Sequence, residues 1–219
     1  MALLDNSQGT TRELVLKDGV LRTDGAVASI TAPRDWTASM WSKSVHPQMP
    51  RQISITLSKP DSKVAVGIFF SGEVLEEYEA RQRQQNLFDH DVSMRASSSQ
   101  AKQPMAESGI RSKTSKLQDL IFLAAPHPVP SSEKYCLGLQ STEFNGMKSV
   151  MFEFENADLG SKTIEYCIDV NGDGRVIYIL YFTAPKDSFP EHMDTAVEIF
   201  KSTVWRKDFD PLKTIEIVD

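Results

Sequence analysis

Seven consecutive apolar residues, Val176–Phe182, run unbroken until Thr183. A membrane-spanning helix needs roughly 20 such residues, so this run does not cross a bilayer as a helix. An extended chain here is apolar on both faces, which fits a strand inside a sheet that is covered on both sides. Its neighbours behave differently. Ile53, Ile55 and Leu57 alternate with polar residues, and Val64, Val66, Ile68 and Phe70 share one face after the turn Lys59-Pro60-Asp61-Ser62. Period two over two runs joined by a short turn predicts an antiparallel hairpin, Gln52–Leu57 with Lys63–Phe70. Tyr135–Gln140, Met147–Glu155, Thr163–Val170 and Arg175–Thr183 continue as strands of a meander.

Turn chemistry supports the same reading. Asp18-Gly19 stands between Leu14-Val15-Leu16 and Val20-Leu21. Such a pair favours a tight hairpin, because both central residues of a type I′ turn need positive φ. A second Asp-Gly pair leads into a strand over Ala26–Ala32 that stops at Pro33. Residues 33–50, with Pro33, Trp36, Trp41, Pro47 and Pro50, read as a loop with two aromatic anchors.

Two segments have helical character. Glu73–Leu87 lacks Pro and Gly and is rich in Glu, Gln, Arg and Leu; its short stripe Val74, Leu75, Tyr78 places it on a surface. In the second, Ser188 and Glu191 stand at capping-box spacing around Phe189-Pro190. Met193, Ala196, Val197 and Phe200 then form one apolar face, with Trp205 packing near the helix end.

The net charge of −6 argues against a general nucleic-acid binder, which needs a surplus of Lys and Arg. With 40% hydrophobic and 25% charged residues, the chain has the balance of an acidic soluble globular protein. The charge is uneven. Residues 93–116 hold seven serines and five basic residues (Arg95, Lys102, Arg111, Lys113, Lys116) against Glu107 alone. That segment is +4, so −6 overall leaves −10 for the remainder. A stretch this long without periodicity predicts a flexible basic insertion.

Cys136 and Cys167 form no CxxC pair. They read as small buried hydrophobes or, in an oxidising compartment, as one bridge between neighbouring strands. The first residues carry no export signal, so the chain as written reads as cytoplasmic, or as extracytoplasmic if a signal has been removed. Asp169-Val170-Asn171-Gly172-Asp173-Gly174 matches the first half of a calcium loop, with Asp169, Asn171 and Asp173 as oxygen donors. The twelfth position is Leu180 instead of a bidentate carboxylate, and the flanks are strand-like, so a hairpin turn is the simpler reading. His46 and His127 precede prolines, His192 opens a helix, and Asp89-His90-Asp91 cannot converge on one ion. Glu153 and Glu155 share a strand face opposite Phe152 and Phe154, as on the wet side of a sheet. No nucleophile elbow, phosphate loop, dinucleotide fingerprint or zinc-protease motif is present, so neither a catalytic set nor a cofactor is expected.

The order of elements is similar to a known family. Ile30-Thr31-Ala32-Pro33-Arg34-Asp35-Trp36 resembles the strand, Pro, Trp opening of PsbP-like domains. Phe144-Asn145-Gly146 resembles their Asn-Gly turn before a strand, and Tyr178–Pro185 followed by Ala196–Trp205 their strand and helix ending near an aromatic. The resemblance covers residues 24–206 and rests on order and spacing. It implies an α+β fold: an α/β/α sandwich with a central antiparallel sheet and helices on both faces. The family includes an extrinsic subunit of photosystem II and assembly factors, and a nuclear-import factor that binds Ran shares its fold. Such members are mostly binding or assembly proteins. Residues 93–116 depart from the family pattern, and no photosystem-specific residue carries over.

The expected organisation is an N-terminal hairpin extension (1–23), one domain (24–206) interrupted by the basic insertion, and a C-terminal tail (207–219). The expected function is a non-catalytic module that docks on a protein partner. Trp36 and Trp41 would be aromatic anchors, and Arg95, Lys102, Arg111 and Lys113 a steering cluster. The alternatives are a small-molecule or calcium binder using Asp169, Asn171 and Asp173, and an immunity or inhibitor protein opposing a basic toxin. Catalysis would call for a His or Cys beside a carboxylate at a recognisable spacing, which the sequence does not offer.

Overall fold

A computed structural model describes residues 9–44, 51–72, 74, 76, 134–156, 159–211 and 216–218. Within them the chain forms β1 (Thr10–Leu14), β2 (Val20–Arg22), β3 (Val27–Thr31), β4 (Thr37–Lys43), β5 (Gln52–Ser58) and β6 (Ala65–Phe70). It continues as β7 (Lys134–Phe144), β8 (Met147–Asn156), β9 (Ser161–Asp169), β10 (Ile177–Pro185), helix α1 (Phe189–Lys201) and β11 (Val204–Trp205). The expected helix Glu73–Leu87 (apart from Val74 and Glu76), the insertion 93–116, and His46, His90 and His127 lie outside the described residues.

Eight strands make one antiparallel sheet in the order β1-β4-β5-β6-β10-β9-β8-β7. Two meanders, β4-β5-β6 and β7-β8-β9-β10, meet where β6 pairs with β10. The doubly apolar run is therefore central, as its composition requires: Ile177, Tyr178, Ile179, Leu180 and Phe182 are all buried. A smaller sheet, β11-β3-β2, lies beside it.

Cross-strand partners point to the same side, so the register defines the faces. Tyr178, Leu180 and Phe182 stand opposite Phe70, Ile68 and Val66 on one flank and Ile168, Tyr166 and Ile164 on the other. The row extends through Ile53, Ile55 and Leu57 to Ala38 and Met40. Helix α1 covers this face. Phe189 packs on Phe182 with ring centroids 4.8 Å apart, and Phe200 meets Tyr166 at 5.7 Å and Phe144 at 6.0 Å. On the opposite face Phe69, Val150, Phe152, Phe154, Cys167 and Ile179 are buried as well.

This architecture corrects the expected α/β/α sandwich. The described residues are predominantly antiparallel strand with a single helix, and that helix sits on one face of the large sheet. Periodicity predicts β5, β6 and the meander β7–β10, whereas the paired helical layers are implied only by the family resemblance.

Local chemistry accounts for several junctions. Asp18 (φ 54°) and Gly19 (φ 79°) make the tight turn that their sequence predicts, and Lys17 and Val20 exchange backbone hydrogen bonds of 3.1 and 3.0 Å. The turn does not join two strands of one sheet, however. It passes the chain from β1, paired with β4, to β2, paired with β3. Asn145 (φ 49°) and Gly146 (φ 76°) close the β7–β8 hairpin in the same manner.

The expected loop 33–50 contains strand β4. Its inward residues, Ala38 and Met40, alternate with half-buried Ser39 and Trp41. Helix α1 follows its predicted face at Met193, Ala196 and Phe200, with buried Ile199 where Val197 was expected. Ser188 makes no side-chain cap bond, because its backbone (φ −102°, ψ 1°) is turn-like instead of extended.

Candidate functional site

The strongest motif in the sequence is the turn between β9 and β10, and its geometry is that of a self-capped hairpin. Asp169 is 1% exposed. Its Oδ1 accepts the Gly172 N–H at 2.9 Å and its Oδ2 the Gly174 N–H at 3.0 Å, while Asp173 Oδ1 accepts the Arg175 N–H at 2.9 Å. Positive φ at Gly172 (76°) and Gly174 (72°) brings those two amides round to the carboxylate. Both oxygens that a cation would use are thus committed to the turn's own backbone. Burial pushes the Asp169 carboxyl above its ordinary range; the Gly174 and Gly172 amides oppose that shift and Asp173 adds to it. Among the described residues no group of three or more His, Cys, Asp or Glu side chains is placed to hold a metal ion.

The two tryptophans occupy different places. Trp36 is 7% exposed and belongs to the core, and its backbone N–H donates to the Pro33 carbonyl at 3.0 Å. An indole buried there has no surface to offer a partner. Trp41 is half-buried on β4, and its ring lies over Gly9, where a Cβ would overlap the indole nitrogen. The structure therefore separates the expected anchor pair and leaves Trp41 as the one nearer solvent. Arg95, Lys102, Arg111 and Lys113 lie outside the described residues.

Glu153 and Glu155 are engaged as well. Lys162 of β9 pairs with Glu153 of β8 at 2.5 Å, and Lys186, just past the end of β10, pairs with Glu155 of β8. Lys162 also stands 4.9 Å above the Phe189 ring. These contacts fasten the start of α1 to the sheet and do not form a paired-carboxylate acid–base site.

Among the described residues β1 and β7 are the outer strands of the large sheet and β11 and β2 those of the small one. In β1, Thr10, Thr11, Arg12 and Glu13 are exposed and Val15 just beyond is 85% exposed. Among the described residues β1 pairs only with β4. The outer side of β2 is occupied by Glu216–Val218: Asp24 N–H donates to the Glu216 carbonyl and Val218 N–H to the Arg22 carbonyl, each at 3.0 Å. Nothing local in the sequence marked either edge, because edge position follows from pairing order and not from residue pattern.

No protein-family model matches the chain, and no curated protein matches it. No helix among the described residues is long and apolar enough to cross a membrane.

Proposed function

We propose that this chain is a non-catalytic protein-binding or assembly module that docks on a protein partner. The observation that carries the reading is the charge division: residues 93–116 are +4 on a chain whose remainder is −10. A segment of that composition attracts an acidic surface over about a Debye length and speeds encounter. The exposed backbone edge at β1 adds a second feature suited to a polypeptide partner, since strand addition uses main-chain groups for affinity. Half-buried Trp41 supports the same reading as a source of aromatic contact area. The calcium reading has less support, because the Asp169 oxygens are already spoken for by backbone amides.

Affinity capture from the native host tests this. The intact chain is compared with a variant in which Arg95, Lys102, Arg111 and Lys113 are all replaced by Glu. A partner retained by the intact chain, released by moderate salt and lost from the variant is the expected result. Capture that is indifferent to the four replacements would remove the steering role.

A further inference from the structure

We propose that the outer edge of β2, Arg22–Asp24, is a strand-addition site for an extended segment of a partner protein with an aliphatic residue at its centre, and that Glu216–Val218 is its resident occupant. Those residues show the mode of recognition directly. The two 3.0 Å backbone bonds flank an antiparallel bridge between Thr23 and Ile217. Ile217 is half-buried against the core, whereas Glu216 and Val218 are exposed. One side chain is read and two are not, the pattern of a strand laid along an edge.

The edge is shaped by groups other than its occupant. Thr23 is 3% exposed; its hydroxyl donates to the Val27 carbonyl and accepts the Gly25 N–H. Arg206 braces the same bend from behind, its backbone N–H on the Ala26 carbonyl at 2.7 Å and its Nη1 on the Gly25 carbonyl at 3.2 Å. Asp24 Oδ1 accepts the Glu216 N–H, so the residue entering that position must carry an amide proton, which excludes proline. The site thus demands an aliphatic residue flanked on both sides by residues that carry an amide proton, since the Val218 N–H also donates to the Arg22 carbonyl.

Three hydrogen bonds and the half-buried Ile217 side chain hold Glu216–Val218, and a segment held by local contacts of this kind opens at lower cost than global unfolding. Release exposes the Asp24 N–H and the Arg22 carbonyl for another strand. This proposal rests on the protein-binding reading given above and names the mode of contact at one edge.

The test uses the full chain and a fluorescently labelled peptide of its own residues 212–219. Ile217→Asp removes the central aliphatic contact, and Val218→Pro removes an amide donor at a position that is 48% exposed. Both variants should bind the peptide at least about tenfold more tightly than the wild type, in which the resident segment lowers the available fraction of sites. A peptide carrying the Ile217→Asp replacement should bind none of the three. Equal binding to wild type and variants, or no binding to a variant whose circular dichroism is native, overturns the proposal. Val218→Pro keeps the experiment decisive should Ile217→Asp fail to fold. The two readings fail separately: absence of peptide binding removes the strand site while partner capture stands, and absence of capture by the intact chain removes the module while peptide binding stands.

Discussion

The phenol ring of Tyr181 lies across the α-carbon of Gly67, its cross-strand partner on the next strand, so that any Cβ at Gly67 would overlap the ring. The Tyr181 hydroxyl continues one strand further and meets Thr56 Oγ1 at 3.1 Å. One side chain thus spans β10, β6 and β5 at the seam between the two meanders. Gly67→Ala should cost about 1–3 kcal/mol, the usual penalty for forcing extra volume into a packed site. In a Tyr181→Ala background the same replacement should be tolerated, since a strand accepts alanine more readily than glycine once the ring is gone. Denaturant midpoints of the four proteins in this cycle measure the coupling; additive effects would contradict the contact.

Asp169 should make stability fall as pH rises. Its folded pKa lies above the ordinary 3.8, chiefly because burial disfavours the charge. Below 3.8 the carboxyl is protonated in folded and unfolded chains alike, and its contribution is fully present. As pH climbs through the raised folded value, the native state must ionise a buried group and that contribution is lost. Asp169→Asn removes the titration. The stability difference, wild type minus Asp169→Asn, should therefore shrink as pH increases from 3.8. A difference that widens with pH would mean that the Gly172 and Gly174 amides outweigh burial.

Phe200 joins α1 to the sheet through Tyr166 and Phe144 and is 5% exposed. Phe200→Ala should destabilise by about 3–5 kcal/mol, the range for deleting a buried aromatic ring. Lys186→Ala, which removes only the exposed pair with Glu155, should change stability by less than about 1 kcal/mol. Thermal melts of the two variants should rank accordingly.

The cysteines should both remain thiols. Cys136 stands opposite Phe154 and Cys167 opposite Val150, so β8 lies between them and their positions are offset along it. Crossing two strand spacings alone separates the α-carbons by roughly 9–10 Å, beyond the limit of about 7 Å for a disulfide. Alkylation after unfolding without reductant should add two labels per chain by mass spectrometry; an unlabelled, bridged species would contradict this register.

Much of the strand content was legible because burial on one face leaves a period-two trace, as at Ile53, Ile55 and Leu57. Val176–Phe182 announced its central place through apolar residues on both faces. Strand β4 was hidden. Only Ala38 and Met40 point inward with full burial, and the flanking prolines and Trp41 drew attention to loop chemistry. Layering was beyond reach for a different reason: whether a sheet carries helices on one face or two depends on long-range packing, which no local window records. The same holds for the site. Asp169 was visible as a turn residue, but its burial and its two amide partners required the fold. The Tyr181–Gly67 contact and the Glu216–Val218 occupant join residues far apart in the chain, and neither leaves a local pattern.

The pairing of β6 with β10 has a consequence in time. Tyr178 meets Phe70 across 108 residues and Thr183 meets Ala65 across 118. Each meander can zip from its own hairpins, whereas the seam waits for a long loop to close, an entropic delay that grows with the logarithm of loop length. Until it closes, β6 and β10 each present a free and strongly apolar edge to every other nascent chain. Closure of this seam, which Tyr181 bridges, is therefore expected to follow the formation of the hairpins on either side, and refolding followed at two protein concentrations would test that order.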